Sequence, residues 1–183
     1  RTTVMDLAQY KYPYLLRNLT IDRLNQVWSL DISYIPMRKG YMYLFAIMDV
    51  YGRFIVGWSL SNTMDTKWIV DVLQTAIYTH GTPEIINSDQ GSQFTSDAYV
   101  DYVKSLETVK IYMDGKGRAI DNVWIERFWR TIKYDKLYLL ELVTGEQVRQ
   151  ACAEAEFITY YNYKRGHSSL DDKKPENVYK SAA

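Results

Sequence analysis

The spacing of apolar residues changes from a repeat of two to a helical repeat near residue 65, and this change limits the possible folds. Apolar and polar residues alternate over 28–35, which is the pattern of a strand with two unlike faces. Segments 41–48 and 54–60 also have the character of strands, and short turns separate all three. Over 66–80 the apolar residues recur at helical spacing instead. The order predicts an antiparallel three-strand meander followed by helical structure.

The remainder of the chain alternates between short strands and helices. We predict strands at 84–87 and 109–112, and helices at 96–105, 122–137 and 145–163. Strands that alternate with helices are typically parallel. The sequence therefore predicts an α/β protein with a mixed five-stranded sheet, an antiparallel meander plus two parallel strands, flanked by helices.

The length of 183 residues suits one domain-sized unit. We expect residues 1–25 to form a lead-in segment and residues 26–183 to form the core with a helical tail. One cysteine and two histidines are too few for a zinc finger, and no apolar run approaches the roughly 20 residues of a membrane span. Because the chain begins at Arg1, we expect it to be part of a longer protein, and without a signal peptide we expect an intracellular one.

Charge gives conflicting indications about nucleic acid. The formal net charge is +0, whereas nucleic-acid-binding proteins are usually basic. Between Lys110 and Lys136, however, seven Lys or Arg residues stand against four Asp or Glu residues. A locally basic surface that binds nucleic acid is therefore compatible with the neutral net charge of the whole chain.

Three acidic residues have positions that suit a role in binding or catalysis, although each position also has an ordinary structural explanation. Asp31 lies in the middle of a strand, where a carboxylate is costly unless it meets a cation or hydrogen-bond donors. Asp89 follows the strand at 84–87, at the end where open α/β sheets bind ligands, but Asp-x-Gly is also good turn chemistry. From the residues alone, both interpretations remain open.

Glu126 lies on the helix predicted over 122–137. Asn122, Arg130 and Lys133 fall within about 40° of it on a helical wheel, opposite the apolar arc. This stripe is either a solvated face with an i,i+4 ion pair, or a metal-binding carboxylate followed by cations for phosphates.

Taken together, these segments resemble the catalytic core of bacterial insertion-sequence transposases, which belong to the retroviral-integrase-like Asp-Asp-Glu recombinases. The resemblance covers nearly the whole chain from about residue 14. It rests on the segments Trp28–Pro36, Met48–Arg53, Asn87–Thr95, Met113–Arg118, Asp121–Lys133 and Tyr161–Leu170, and on Pro175. Thirty-six residues separate Asp89 from Glu126, one more than is usual in the family, and we expect the extra residue in the loop near 104–110.

The resemblance implies a ribonuclease H-like fold and metal-dependent cleavage and strand transfer of DNA by phosphoryl transfer. It makes Asp31, Asp89 and Glu126 the catalytic residues and the ligands of two Mg²⁺ ions, for which Mn²⁺ can substitute. Oxygen ligands suit these hard cations. Without metal, three neighbouring carboxylates should repel one another, leaving the site loose or partly protonated.

The same resemblance implies DNA as the partner, both transposon ends and target. We expect Lys133 and Arg130 to contact phosphates near the reacting bond, and Lys116 and Arg118 to approach DNA from a glycine-bearing loop. For Asn122, capping of the helix is favoured over a DNA contact. Self-association as a dimer or larger multimer, and a bacterial cytoplasmic location at the nucleoid during activity, are also expected.

Other functions fit less of the sequence. A catalytically decayed DNA-binding or oligomerisation module would not need the three acids. A nuclease of the same fold would not explain Lys133 and the tail motif. A two-carboxylate glycosidase would leave Arg130 and Lys133 without a role.

Overall fold

A mixed five-stranded sheet forms the centre of the protein. The computed structural model describes residues 16, 19–113, 122–135, 137–154 and 157–181. The strand order is β3-β2-β1-β4-β5, with β1 antiparallel to β2, β2 antiparallel to β3, and β1, β4 and β5 parallel. This arrangement confirms the predicted sheet. The strands are β1 (Val27–Pro36), β2 (Tyr41–Asp49), β3 (Phe54–Ser61), β4 (Ile85–Ser88) and β5 (Lys110–Met113).

Six α-helices accompany the sheet in the described residues, and the bounds of the first three agree closely with the predictions. They are α1 (Thr66–His80), α2 (Asp97–Ser105), α3 (Val123–Asp135), α4 (Gly145–Arg149), α5 (Phe157–Tyr163) and α6 (Pro175–Ser181). The carboxylate of Asp65 accepts a hydrogen bond from the Lys67 backbone N–H and so caps α1. None of the described helices is long and apolar enough to cross a membrane.

The single helix predicted over 145–163 is not what the structure contains. A capping box between Thr144 and Gln147 starts α4, a π-helical turn follows over Gln150–Glu154, and α5 begins at Phe157. Val148 and Phe157 are both buried in the same part of the core. One straight α-helix would set them about 180° apart, so it could not bury both against the same surface.

The alternation in β1 divides the core into two layers. Trp28 and Leu30 point to the face covered by α1 and α2, where they pack with Ile69 and Tyr99. Ile35 points to the opposite face, which is covered by α3, α4 and α5. Since side chains two residues apart share a face, Ser29, Asp31 and Ser33 lie on the α3 side of the sheet.

The C-terminal segment returns to the sheet through α6, which the sequence did not predict as a separate helix. Its start at Pro175 suits the first position of a helix, where a missing N–H costs nothing. The ring of Tyr179 stacks on Phe54 of β3 with centroids 4.5 Å apart. Most of the predicted lead-in, and the glycine-bearing loop that carries Lys116 and Arg118, lie outside the described residues.

Candidate active site

The parallel pairing of β1 with β4 brings two of the predicted acids together. Ser29 pairs with Asn87 in this register. Asp31 and Asp89 each follow this pair by two residues, so they lie at equivalent positions along two neighbouring segments of the sheet. Asp89 comes directly after the last residue of β4, at the carboxyl end where open α/β sheets bind their ligands.

Asp31 is held by two hydrogen bonds in a largely buried setting. The Trp129 indole Nε1–H donates to its Oδ2 at 2.8 Å, and the Ile32 backbone N–H donates to its Oδ1 at 2.8 Å. Burial raises the pKa of Asp31 to about 6, the negative charges of Asp89 and Glu126 add to this rise, and the two hydrogen bonds oppose it. The two other acids therefore act electrostatically on Asp31, as members of one site would.

Asp89 is exposed and is oriented by its own loop. Its Oδ1 accepts a hydrogen bond from the Gly91 backbone N–H at 2.9 Å. A Cβ atom at position 91 would lie 2.9 Å from the same oxygen, which is closer than carbon and oxygen can approach. The glycine therefore permits the turn that fixes this carboxylate, so the turn interpretation and the functional one are compatible.

Glu126 is exposed in the first turn of α3, whose opposite face packs into the core through Ile125, Phe128 and Ile132. The apolar arc of the predicted helix is thus confirmed. Trp129 was missed, although a buried indole N–H needs an acceptor and a strand carboxylate supplies one. Its position in a helix rich in apolar residues gave no indication of that partner.

A buried polar cluster of Ser29, Asn87 and Asn122 ties together the three elements that carry the acids. The Oδ1 atom of Asn122 accepts hydrogen bonds from the Ser29 hydroxyl and from Asn87 Nδ2, the latter at 3.3 Å. All three side chains are buried. Each one precedes an acid by two or four residues, so the cluster fixes β1, β4 and α3 relative to one another directly behind the carboxylates.

Asn122 therefore has a different environment from the one predicted. Its side-chain oxygen is engaged by Ser29 and Asn87 rather than by the first turn of α3, while its backbone carbonyl accepts the Glu126 N–H at 3.1 Å. Only 5% of the residue is exposed, which leaves little surface for DNA.

The two described cations that were predicted to bind phosphate, Lys133 and Arg130, have different surroundings. Lys133 is near Asp31, whose charge raises its pKa while burial, the larger effect, lowers it. Arg130 is exposed and lines a cleft on another side of α3. Lys116 and Arg118 lie outside the described residues.

The three carboxylates fit a divalent cation by their chemistry, since they offer only oxygen ligands and face one another closely enough to affect Asp31. Among the described residues, no three His, Cys, Asp or Glu side chains already stand close enough to hold a metal ion.

Comparison with known protein families identifies the family to which this chain belongs. An integrase core domain model matches residues 22–119, and a second integrase core domain model matches residues 107–175. The chain belongs to the integrase core domain family. Both matched ranges include acids of the candidate site, Asp31 and Asp89 in the first and Glu126 in the second.

Relatives of known name are insertion-sequence transposases. The transposase of insertion sequence element IS904 from Lactococcus lactis is 37% identical over 158 residues, which is 85% of this chain and 62% of the relative. Transposase InsF of insertion sequence IS3A from Escherichia coli is 30% identical, over 83% of this chain and 53% of the relative. The chain thus spans just over half of the length of these relatives.

Solved integrase structures share the fold. The catalytic core domain of HTLV-2 integrase, solved in complex with magnesium in a dimeric form, superposes with a TM-score of 0.66 at 20% identity, covering 86% of this chain and 97% of that one. A chain of the simian T-cell lymphotropic virus intasome, solved with a PP2A regulatory subunit, superposes with a TM-score of 0.72 at 17% identity, covering 87% and 57%. The integrase core family and these neighbours confirm the ribonuclease H-like fold.

Proposed function

We propose that this chain is the catalytic domain of a DNA transposase, formed by residues 26–183 after a lead-in at 1–25. In this proposal it cleaves DNA strands and joins the freed 3′ ends to a second strand. The proposal is supported by two observations: Asp31 and Asp89 each follow the paired residues Ser29 and Asn87 by two positions, and the charges of Asp89 and Glu126 both raise the pKa of Asp31. Membership of the integrase core family and the transposase relatives support the same assignment.

The three carboxylates, Asp31, Asp89 and Glu126, would hold two Mg²⁺ ions, or Mn²⁺ in their place. Bound ions of this kind activate an attacking oxygen and stabilise the leaving oxygen of an in-line displacement at phosphorus. The catalytic core domain of HTLV-2 integrase was solved in complex with magnesium, which supports the choice of ion.

Other residues of the chain prepare the site for that role. Trp129 and the Ile32 N–H orient the Asp31 carboxylate, and the Gly91 N–H orients Asp89. Lys133, close to Asp31, is suited to hold a DNA phosphate near the reacting bond. No protein nucleophile is required, because water and then a DNA hydroxyl act as nucleophiles.

The proposed partners are transposon ends and target DNA, on which the domain would act as a dimer or larger multimer. The core domain of HTLV-2 integrase was solved in a dimeric and a trimeric form, and both are compatible with self-association of this chain. Action at the bacterial nucleoid follows from the DNA substrate and is part of the same proposal.

Strand nicking of supercoiled plasmid tests the proposed activity. We expect the parent chain to convert the plasmid to nicked circles in Mg²⁺ or Mn²⁺ but not in EDTA. Glu126→Gln keeps the shape of the side chain and removes its charge, so nicking should slow by roughly 100-fold or more. Glu141→Gln, at an exposed position outside the site, is the matched control and should nick like the parent.

Two results would contradict the proposal. A parent chain that leaves the plasmid intact with either metal would favour the decayed module instead. A Glu126→Gln variant that nicks at the parent rate in Mg²⁺ would remove Glu126 from the site.

A further inference from the structure

A second feature of the protein gathers arginine side chains into a cleft whose lining does not include the three carboxylates. It is a cleft of about 430 Å³ whose lining includes four arginines and a histidine. They are Arg53, Arg127, Arg130, Arg165 and His167. We infer that this arginine cleft binds a phosphodiester group of the DNA backbone, other than the one that reacts at the carboxylates.

Three separate parts of the chain build the arginine cleft. Arg53 lies in the turn between β2 and β3, with a left-handed φ of 55°, and its guanidinium lies over the Trp124 ring at 5.3 Å from the centroid. Arg127 projects from α3. Arg165 comes from the segment after α5. A site assembled from such distant segments depends on the tertiary fold and is not a run of surface charge.

The arginines of the cleft outnumber the carboxylates near them, although the charge of the buried Asp49 carboxylate acts on Arg53. Arg53, Arg127 and Arg130 form no ion pair with any carboxylate of the described residues. Arg165 is 3.8 Å from Asp135, and Asp172 is the one carboxylate in the described lining. Like charges held together repel one another, so an anion that enters the cleft relieves an existing electrostatic cost.

His167 adds a second, independent indication of a missing ligand. The residue is buried, with 9% of its surface exposed, and its Nε2 atom has no hydrogen-bond partner among the described residues. Buried polar atoms without partners are uncommon in folded proteins and call for an explanation. A phosphate oxygen in the cleft would give this nitrogen a partner.

The backbone of the tail is shaped to keep these groups in place. At Gly166, between Arg165 and His167, an added Cβ atom would lie only 2.6 Å from the Asp172 carbonyl oxygen. The His167 N–H also donates to the Lys173 carbonyl at 3.1 Å. The chain is therefore closely folded on itself where it presents the Arg165 and His167 side chains.

A phosphodiester is the anion that best matches this chemistry. Guanidinium groups bind phosphate oxygens through paired N–H donors, and arginine is favoured where such planar recognition matters. The chain as a whole has a net charge of +0, so the clustering is local and not a consequence of composition. The choice of DNA rests on the proposed function, since α3 carries both Glu126 and two arginines of the cleft.

Duplex binding as a function of salt tests this inference. A fluorescent DNA duplex of about 30 base pairs is titrated with protein in EDTA, between about 50 and 300 mM KCl. We expect the Arg127→Gln, Arg165→Gln double variant to bind about tenfold or more weakly than the parent at low salt. The slope of log affinity against log salt should fall by about 0.9 for each lost phosphate contact. The Lys104→Gln, Arg149→Gln double variant removes the same two charges at exposed positions of α2 and α4, so it is the matched control and should bind like the parent.

The outcomes separate this inference from the proposed function. If the cleft double variant melts at the parent temperature but keeps the affinity and slope of the Lys104→Gln, Arg149→Gln control, the cleft does not bind DNA. The same holds if the parent itself binds no duplex at low salt. Tighter binding of an RNA duplex than of the DNA duplex would overturn the choice of DNA. Because no metal is present, loss of nicking in the plasmid assay contradicts the proposed function and leaves the result for the cleft unaffected.

Discussion

Asp31 shows how a single residue can be identified from sequence while its environment cannot. Its place in the middle of an alternating strand is a local property, and the cost of an unsatisfied carboxylate there made it a candidate. Its main side-chain partner, Trp129, is 98 residues away, and local spacing carries no information about that contact. The sequence therefore predicted the acid, but only the fold shows what orients it.

The raised pKa of Asp31 predicts a pH dependence of stability in metal-free protein. Its pKa is about 6 in the folded protein and 3.8 as an unperturbed value, so between these values the folded state binds more protons. The free energy of unfolding therefore falls as the pH rises through this window, and the contribution is complete only below the unfolded pKa.

Asp31→Asn removes that titration, and chemical denaturation in EDTA should reveal the loss. Relative to the parent, the variant should gain about 2–3 kcal/mol of unfolding free energy between about pH 4 and pH 7. Asp49 is also buried with a raised pKa, but it is common to both proteins and cancels in the difference. Asp101→Asn, on the exposed side of α2, should follow the parent at every pH. A parent and an Asp31→Asn variant with parallel pH profiles would show that Asp31 titrates normally.

Trp129→Phe tests whether the indole N–H orients Asp31. The phenyl ring retains most of the packing against Phe128, while the 2.8 Å hydrogen bond to Asp31 is lost. Because that bond favours the charged carboxylate, the pKa of Asp31 should rise further, and the pH midpoint of metal-dependent nicking should rise with it. A variant whose nicking is reduced equally at all pH values would indicate a packing role alone.

At the scale of elements, α3 joins the site to the core. It presents Glu126 to the site, Trp129 to β1 and Asn122 to the buried polar cluster. Helices and strands with regular periodicity were predictable, because bounds such as those of α1 follow from local spacing and a capping residue. The π-helical turn at Gln150–Glu154 was not, because it depends on the packing of Val148 and Phe157 on the same core.

Asn122→Ala should separate positioning from simple stability. Leaving Ser29 and Asn87 without their shared acceptor should cost about 1–3 kcal/mol of unfolding free energy. If the cluster positions the acids, nicking by the folded variant should also fall, although residue 122 touches no substrate in this account. Asn177→Ala, at an exposed position in α6, is the control for both measurements. A variant that loses stability but nicks at the parent rate would limit the cluster to a structural role.

At the scale of the whole molecule, two core layers on either side of one sheet hold the site and the arginine cleft in a fixed relation. Net charge and composition argued mildly against a nucleic-acid-binding protein, because an average over 183 residues conceals a cluster of four arginines. The sequence predicted the sheet and the three acids through local pattern and family resemblance. It could not predict the cleft, because Arg53, Arg127 and Arg165 meet only after folding.

The central claim is that Asp31, Asp89 and Glu126 together hold divalent metal ions, and Mn²⁺ titration by calorimetry tests it most directly. We predict that the parent and Asp101→Asn bind Mn²⁺ and that Asp31→Asn does not. The same difference between the proteins should hold in the presence of a DNA duplex. Mn²⁺ binding of equal strength in Asp31→Asn and the parent, or none in the parent even with DNA present, would contradict the account.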